Sequence, residues 1–323
     1  MSFRVALLSS TLLSSLALLT APMIAFAGDD PPSTRAVDGV NGKIEGLGGG
    51  YATKGLYGTL GSLSLPLGDQ FGVQFDGAAG GFANRFIGMG GAHLFWRNPQ
   101  QGLVGVYGDY THWDQYGGVH SSHIGPEAEA YLGRWTLHGI AGVEFGNNSS
   151  VVTSNKTSSQ TTVGIPGGGT LTTTTTTTTT TSQLADVTRF FDRVSLSYYL
   201  TDDWKASIGH RYFGGKHSLA LGTEYAIAAG RGVMASLFGG GQLGEGSNNY
   251  GVWGGIRVYF GQHDKSLMRR HREDDPDSDL STDTLFGIAN SLGPNSSSSS
   301  TTTNATCPPG EVFVNGACVG GGG

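Results

Sequence analysis

The feature that most constrains this chain is an alternation of apolar and polar side chains with a period of two. In Tyr250–Phe260 every second residue is apolar or glycine, and the intervening set includes the charged Arg257. Successive side chains of a β-strand point to opposite faces, so the pattern predicts a strand with one apolar face and one mixed face. Such a strand fits a soluble sandwich with a core on the apolar side, or a membrane barrel with lipid there.

The same alternation recurs between residues 40 and 260, in segments that clusters of Gly, Asn, Asp or Pro separate. Most segments have about ten residues, which a tilted membrane-spanning strand needs, whereas soluble strands average five or six. The length favours a barrel of about twelve strands, with ten or fourteen as alternatives. The predicted strands are 40–50, 56–65, 71–81, 86–96, 103–113, 119–132, 135–146, 188–200, 204–213, 217–228, 233–241 and 250–260.

The connections differ between the two ends of the predicted strands. Every second connection is a short turn, as at Gly133–Arg134 and Thr201–Asp203, whereas one long insertion, 147–187, joins the seventh and eighth strands. Outer-membrane barrels keep short turns in the periplasm and longer loops outside. With a periplasmic N-terminus, the long insertion therefore lies on the outer side, and the even strand count returns the chain to the periplasm.

The N-terminus reads as an export signal. Arg4 precedes the apolar stretch VALLSSTLLSSLALLTA, and Ala25-Phe26-Ala27 forms an A-x-A cleavage site. We interpret 1–27 as a signal peptide and 28–39 as a lead into the barrel; the alternative is an uncleaved anchor helix. Export permits disulfides, and Cys307 and Cys318 are the two cysteines of the chain.

The last predicted strand also resembles a known class. Its Ile256 and Val258, in an alternating run that ends at the aromatic Phe260, resemble the closing strand of bacterial outer-membrane β-barrels. The resemblance implies an all-β fold, a closed antiparallel transmembrane β-barrel in the outer membrane of a Gram-negative envelope. It also implies contact with outer-membrane lipid, and recognition of Phe260, Val258 and Ile256 by the barrel-assembly machinery. This chain departs from the class in continuing to Gly323.

Aromatic residues at the segment ends are predicted to form the girdles of such a barrel, with Trp253 inside instead. The predicted girdle residues are Trp96, Trp113, Tyr131, Trp135, Trp204, Tyr212 and Phe260.

The other face of the strands carries the predicted pore-lining charges. They are Lys43, Glu45, Asp76, Asp109, Glu127, Glu129, Glu144, Arg193, Lys205, Arg211, Glu224 and Arg257. These side chains either set the ion preference of a pore or pair with one another and fill the lumen, because buried unpaired charges are costly and a twelve-stranded barrel is narrow. The predicted function is a narrow passive channel or a structural envelope protein, without enzymatic activity, cofactor or metal. The net charge of −6 gives no indication of a nucleic-acid partner.

Two other functions remain open. His120 and Ser122 in VHSSHIG share one face and point to an outer-membrane lipid hydrolase, since twelve strands resemble the outer-membrane phospholipases. That family also needs an Asn to orient the His, and no such Asn is found here. The third function is surface adhesion or binding through the insertion 147–187, which contains ten consecutive threonines, Thr172–Thr181, and is predicted to be disordered.

The chain beyond the barrel divides into two parts. Residues 261–306 are charged and then rich in Ser and Thr, which predicts a disordered linker. Residues 307–319 read CPPGEVFVNGACV, and Asn315-Gly316 between short apolar runs predicts a hairpin that a Cys307–Cys318 disulfide closes. A periplasmic partner of this tail is the corresponding binding hypothesis.

Overall fold

The fold is described by a computed structural model for residues 32–115, 118–146, 155–180, 188–246, 249–261, 263–276, 283, 287 and 296–320. The predicted signal peptide 1–27 lies outside these residues. Twelve strands form a closed barrel in which neighbours pair antiparallel. They are β1 Asn41–Tyr51, β2 Lys54–Leu67, β3 Phe71–Phe82, β4 Arg85–Asn98, β5 Gly102–Trp113, β6 Val119–Leu132, β7 Trp135–Gly146, β10 Thr188–Thr201, β11 Trp204–Phe213, β12 Lys216–Gly230, β13 Val233–Gly244 and β14 Tyr250–Phe260.

The ring closes where β14 pairs with β1, with Ile44 opposite Val258 and Glu45 opposite Arg257. Closure leaves no strand of the barrel with an unpaired edge. The predicted closed antiparallel barrel of twelve strands is therefore confirmed. Among the described residues, no helix is long and apolar enough to cross a membrane.

The outside of the barrel is apolar over its whole circumference. Val194, Leu196, Ile208, Leu219 and Ile256, on four different strands, are 39–54 % exposed. Soluble monomers rarely expose contiguous apolar surface beyond a few hundred Å². No second protein layer covers these residues in the part of the chain that the structure describes, so their natural contact is with acyl chains.

The inside is partly filled by apolar side chains at the outer end of the first six strands. We call this group the outer-end cluster; it contains Leu47, Tyr51, Leu56, Leu60, Phe82, Ile87, Trp113 and Val119. Two of the predicted girdle residues, Trp113 and Tyr131, prove to face inward and are buried, so that prediction was wrong for them. Each shares strand parity with inner residues, and each donates a hydrogen bond inside the barrel, Trp113 to the Phe82 carbonyl and Tyr131 to Glu129. Trp135, Trp204 and Phe260 lie outside, at 42–44 % exposure.

The long insertion carries a hairpin beyond the barrel, made of β8 Asn155–Ile165 and β9 Gly169–Thr180. A third strand, β15 Ser296–Thr306, pairs with β9 along its length. Parts of the insertion and of the tail thus form strands, since Thr-rich runs have high strand propensity and pair through their backbones. Residues 147–154 and 181–187 of the insertion lie outside the described residues.

Two further elements belong to the tail. A short helix, α1 Leu267–Glu273, follows the barrel, and it was not predicted from the sequence. The chain ends in a hairpin of β16 Glu311–Val314 and β17 Ala317–Gly320, and a Cys307–Cys318 disulfide is present. Asn315 and Gly316 both have positive φ, as the tight turn between these two strands requires.

Candidate functional site: the barrel lumen

The inner wall carries all twelve of the charged residues that were assigned to it from the sequence. Each of them is at most 8 % exposed, and each has the strand parity that points into the barrel. They do not stand apart around an open pore, because most of them contact an opposite charge or a histidine. The lumen is therefore the site whose geometry and charge decide what the barrel can do.

A network of charges crosses the seam where β14 meets β1. The Arg257 guanidinium lies 2.5 Å from Glu224 Oε2 and 3.0 Å from Glu45 Oε2. Lys205 Nζ lies 3.8 Å from Glu224 Oε2, and Lys43 Nζ lies 3.8 Å from Glu45 Oε1. The network joins strands from the two ends of the barrel sequence, and its members stabilise one another in a water-poor interior.

Histidines balance much of the acid on the opposite wall. His93 Nε2 lies 2.9 Å from Asp76 Oδ2, and its Nδ1 lies 2.7 Å from Glu127 Oε2. His123 Nδ1 lies 2.8 Å from Asp109 Oδ1. The sequence analysis did not include either histidine in the set of pore-lining charges, although each has the parity of the neighbouring inner residues.

Glu144 has a further partner that the sequence analysis missed. Arg189, near the start of β10, lies 2.7 Å from Glu144 Oε1 through Nη2 and donates a second hydrogen bond through Nε. This bidentate geometry is the strong form of an arginine–carboxylate contact. The excess of acids over bases among the predicted wall residues is thus offset by side chains outside that set.

The segment 263–276, which contains α1, lies across the end of the lumen opposite the long insertion, which the sequence analysis assigns to the periplasm and which we call the periplasmic end; we call this segment the plug. Its backbone and side chains reach three different short turns. The Met268 amide donates to the Asp202 carbonyl (2.9 Å), Arg272 Nη2 donates to the Gly133 carbonyl (2.8 Å), and Arg270 Nη2 donates to the Gly232 carbonyl (3.0 Å). Turns around the mouth of the barrel therefore hold the plug in place.

His271 carries the plug into the charged network. Its Nδ1 lies 2.7 Å from the Tyr199 hydroxyl and its Nε2 lies 2.8 Å from the Tyr259 hydroxyl. The same Nε2 is 3.6 Å from Glu224 Oε2. One plug side chain thus joins strands β10, β12 and β14.

Arg97 holds the plug from the opposite wall. Its Nε donates to the Ala36 carbonyl at 2.5 Å, and its Nη2 donates to the Asp274 carbonyl at 2.8 Å. The side chain is 1 % exposed. The sequence analysis ended the fourth strand at residue 96 and so left Arg97 in the turn. In the structure β4 continues to Asn98, and Arg97 belongs to the strand.

Charges of the plug pair mainly with one another and with the lead. Lys265 Nζ lies 2.7 Å from Asp274 Oδ1, 2.8 Å from Asp38 Oδ2 and 3.1 Å from Glu273 Oε2. Burial raises the pKa of Asp274 to about 6, against the opposing effect of Lys265. Burial also raises the pKa of Asp275, whose carboxylate accepts a hydrogen bond from Ser64 Oγ at 2.6 Å. These acids were expected in a solvated linker. They are buried instead, because Lys265 pairs with Asp274 and the Ser64 hydroxyl donates to Asp275 inside the barrel.

One acid of the tail lies further along the lumen. Asp283 Oδ2 is 2.7 Å from Arg211 Nε and 3.3 Å from Arg193 Nε, and Asp283 is 4 % exposed. A cavity of about 30 Å³ lies beside it, with Trp253, Lys205 and Arg257 among its lining residues. A cavity of that volume holds about two water molecules. Beside Asp283, the described side chains therefore leave space for only a few water molecules.

The lipid-hydrolase pair lies on the outer surface of β6. His120 and Ser122 are half-buried on the face that also carries Ile124, and the His120 ring lies 5.4 Å from the Tyr110 ring. Within the described residues, no hydrogen bond joins His120 to Ser122. A different polar group, which the sequence analysis did not find, lies on the outside of β10–β12: His210 is 2.8 Å from Asp192 Oδ1 and 3.0 Å from His217 Nδ1. Neither group has a serine placed as a nucleophile beside a histidine, and no metal-binding arrangement occurs in the described parts of the chain.

No protein-family model matches the chain, and no curated protein sequence matches it. Among solved structures, the chain is similar to one from a study of the in-meso crystallization of membrane proteins, with 12 % identity, 73 % of this chain and 92 % of that chain covered, and a TM-score of 0.41. It is similar to the translocator domain of the autotransporter NalP from Neisseria meningitidis, with 12 % identity, 69 % and 87 % coverage, and a TM-score of 0.33. It is also similar to a Pseudomonas aeruginosa FadL homologue, with 11 % identity, 69 % and 89 % coverage, and a TM-score of 0.31.

The architecture is established by the chain's own strand pairing. A closed antiparallel barrel, an apolar exterior and a polar, charged interior are the properties of bacterial outer-membrane β-barrels. These properties place the chain in the bacterial outer membrane.

Proposed function

We propose that the protein is a structural outer-membrane barrel whose lumen is closed at rest by its own plug, and that it conducts solutes only narrowly and passively when the plug shifts. The observation that carries this proposal is the burial of plug residues Lys265, Arg270, His271 and Asp274, each at most 3 % exposed, at the periplasmic end of the lumen. A channel open at rest would leave such groups in water.

The contacts of the plug support a closed resting state because they are buried hydrogen bonds between polar groups of the plug and polar groups of the wall and the lead. Arg97 donates to backbone carbonyls of the lead and of the plug, and His271 lies between two tyrosine hydroxyls. Removing one partner of such a contact leaves another buried polar group without a hydrogen bond, at a cost of about 1–3 kcal/mol. The same polarity makes the contacts exchangeable with water, so a displaced plug leaves a wettable lumen.

We propose no enzymatic role. Among the described residues, no hydrogen bond joins His120 to Ser122 and none joins a third group to His120, which supports a non-catalytic rim. A test with a lipid substrate gives the expected result if purified wild-type protein and the Ser122→Ala variant release fatty acid at the same background rate. A rate that falls on substitution contradicts this view.

The proposed partners follow from the two surfaces of the barrel. The apolar exterior takes outer-membrane lipid, and Ile256 and Phe260 of β14 point outward toward it, at 54 % and 43 % exposure. We propose that the barrel-assembly machinery reads Phe260, Val258 and Ile256 before β14 pairs with β1.

Conductance in planar bilayers tests the closed resting state. We expect the wild-type protein to be silent for long periods, and the Arg97→Gln variant to show frequent steps, since it loses the hydrogen bonds to the carbonyls of Ala36 and Asp274. The matched control is Arg85→Gln, at an exposed arginine that begins β4 at the opposite end of the barrel, away from the plug. This control should behave as wild type. Steady conductance of the wild-type protein, at the level of the Arg97→Gln variant, would overturn the proposal.

A further inference from the structure

Parts of the C-terminal tail lie at both ends of the barrel. The plug contacts turns at the end of the barrel opposite the long insertion, which is the periplasmic end in the proposed orientation. The β8–β9 hairpin leaves the barrel between β7 and β10, which is the opposite end, and β15 of the tail pairs with β9 there. The chain must therefore pass from one end of the barrel to the other between residues 276 and 296.

Two described residues in that interval lie inside the lumen. Asp283 contacts Arg193 and Arg211, and both of these arginines face inward. Gly287 lies against Phe213, the last residue of β11 at the outer end, since a methyl group on Gly287 would come within 3.1 Å of Phe213 Cβ. Plug, Asp283, Gly287 and β15 thus follow one another from the periplasmic end to the outer end.

The inner wall is built to receive an anion at the position of Asp283. Arg193 and Arg211 are directly opposite each other in the β10–β11 pair. Like charges opposite one another on one face of a sheet destabilise it. The carboxylate of Asp283 relieves this repulsion, so the tail places a negative charge between two positive charges of the wall.

We propose that the C-terminal segment crosses the outer membrane through its own barrel and displays the disulfide hairpin 307–320 on the outer surface. The length suffices: twenty residues reach up to about 66 Å when extended, whereas the apolar band of such a barrel is about 25 Å tall. This inference rests on the proposed function, because it requires the barrel to lie in the outer membrane with the short turns in the periplasm.

The displayed surface has two parts that belong together. β15 completes a three-stranded sheet of Ser and Thr residues with the hairpin of the insertion. The amide of Cys318 donates to the Pro166 carbonyl, at 3.0 Å, in the turn between β8 and β9. The disulfide hairpin therefore sits on the tip of the outer sheet, and a binding partner would reach it from outside the cell and not from the periplasm.

Labelling with a membrane-impermeant maleimide on intact cells tests the crossing. All variants carry Cys307→Ser and Cys318→Ser, so that each has a single introduced cysteine. Thr303→Cys reports on the tail, Thr161→Cys on the insertion, and Gln100→Cys on a short turn; all three positions are exposed. We expect Thr303→Cys and Thr161→Cys to label on intact cells at least about tenfold faster than Gln100→Cys, which should label only after permeabilisation.

The outcomes separate the two proposals. If Thr161→Cys labels on intact cells but Thr303→Cys labels only after permeabilisation, the barrel is placed as proposed and the crossing is wrong. If Gln100→Cys labels on intact cells, or Thr161→Cys does not, then the placement of the barrel fails and the crossing fails with it. Heat-modifiable migration in gels, run on every variant, verifies that each barrel has folded; a variant set without this shift also overturns the placement.

Discussion

The two ends of the lumen are filled in different ways. At the outer end, the outer-end cluster brings together described side chains of the wall, such as Leu56, Phe82 and Trp113, from strands that follow one another in the chain. At the periplasmic end, the plug inserts a separate segment whose Arg270, His271 and Asp274 pair with the wall and the lead. The apolar packing covers one side of the wall, on the first six strands, and stays in place, whereas the polar contacts of the plug can be exchanged for water, so the plug is the part of the lumen that can open.

The contacts that stabilise the folded barrel also differ from those that close its lumen. The seam network of Arg257, Glu45 and Glu224 joins β14, β1 and β12, and it belongs to the barrel wall. The contacts of Arg97 and Lys265 belong to the plug. Substitutions in the first group should weaken the folded barrel, whereas substitutions in the second group should change its conductance.

The largest effect is expected at the seam. Arg257→Leu leaves Glu45 and Glu224 buried beside each other without their common partner, and breaking a buried pair in this way costs about 3–5 kcal/mol. We expect the urea midpoint of the detergent-solubilised barrel, followed by heat-modifiable migration, to fall accordingly. Arg85→Gln, at an exposed arginine, should change the free energy of unfolding by no more than about 0.5 kcal/mol. Equal midpoints for the two variants would show that the seam network does not stabilise the barrel.

A smaller loss is expected in the outer-end cluster. Leu60 is 7 % exposed and packs inside, whereas Leu63, on the same strand, is 45 % exposed and faces outward. Leu60→Ala should destabilise the barrel by about 2–3 kcal/mol through the cavity it leaves. Leu63→Ala is the matched control and should cost less than about 1 kcal/mol in detergent, because its side chain stays in an apolar medium. The opposite order would mean that the outer end of the lumen is not packed.

Much of the barrel could be predicted from the sequence because one local rule, the period of two, fixes which residues share a face. The rule gave the strands β6, β7, β11 and β14 with their observed bounds. The rule was less clear for β2. Leu56 and Leu60 are apolar but face inward, so an apolar side chain does not by itself identify the face that contacts lipid. It failed for Trp113 and Tyr131 because position at a strand end was given more weight than parity.

The plug could not be predicted in the same way. Arg97 and Asp274 are 177 positions apart, and neither the helix α1 nor the acidic run before Asp283 shows a periodicity that indicates burial. A run such as HREDD reads as a solvated segment because charged residues are seldom fully buried without partners. Only the excess of acids on the wall, and the opposed Arg193 and Arg211, indicated that the lumen needed charges from elsewhere.

The smallest expected effect is a change of conductance with pH at the plug. The pKa of Asp274, at about 6, lies above its usual value of 3.8 because burial disfavours the charged carboxylate and Asp275 adds a like charge, which together outweigh the opposing effects of Lys265 and Arg270. The docked plug therefore binds the proton more tightly than a displaced plug does, so docking is strongest below about pH 4 and weakens as the pH rises to about 6. Between pH 4.5 and pH 6 we expect the opening frequency in planar bilayers to rise about tenfold.

The Asp274→Asn variant tests this explanation. Its side chain cannot ionise, so it should lose most of the rise, and the remainder is due to Asp275, whose pKa is also raised by burial. If Asp274→Asn keeps the full pH response, or if opening becomes rarer as the pH rises, Asp274 does not control the plug, and the polar seal must be held mainly by Arg97 and His271.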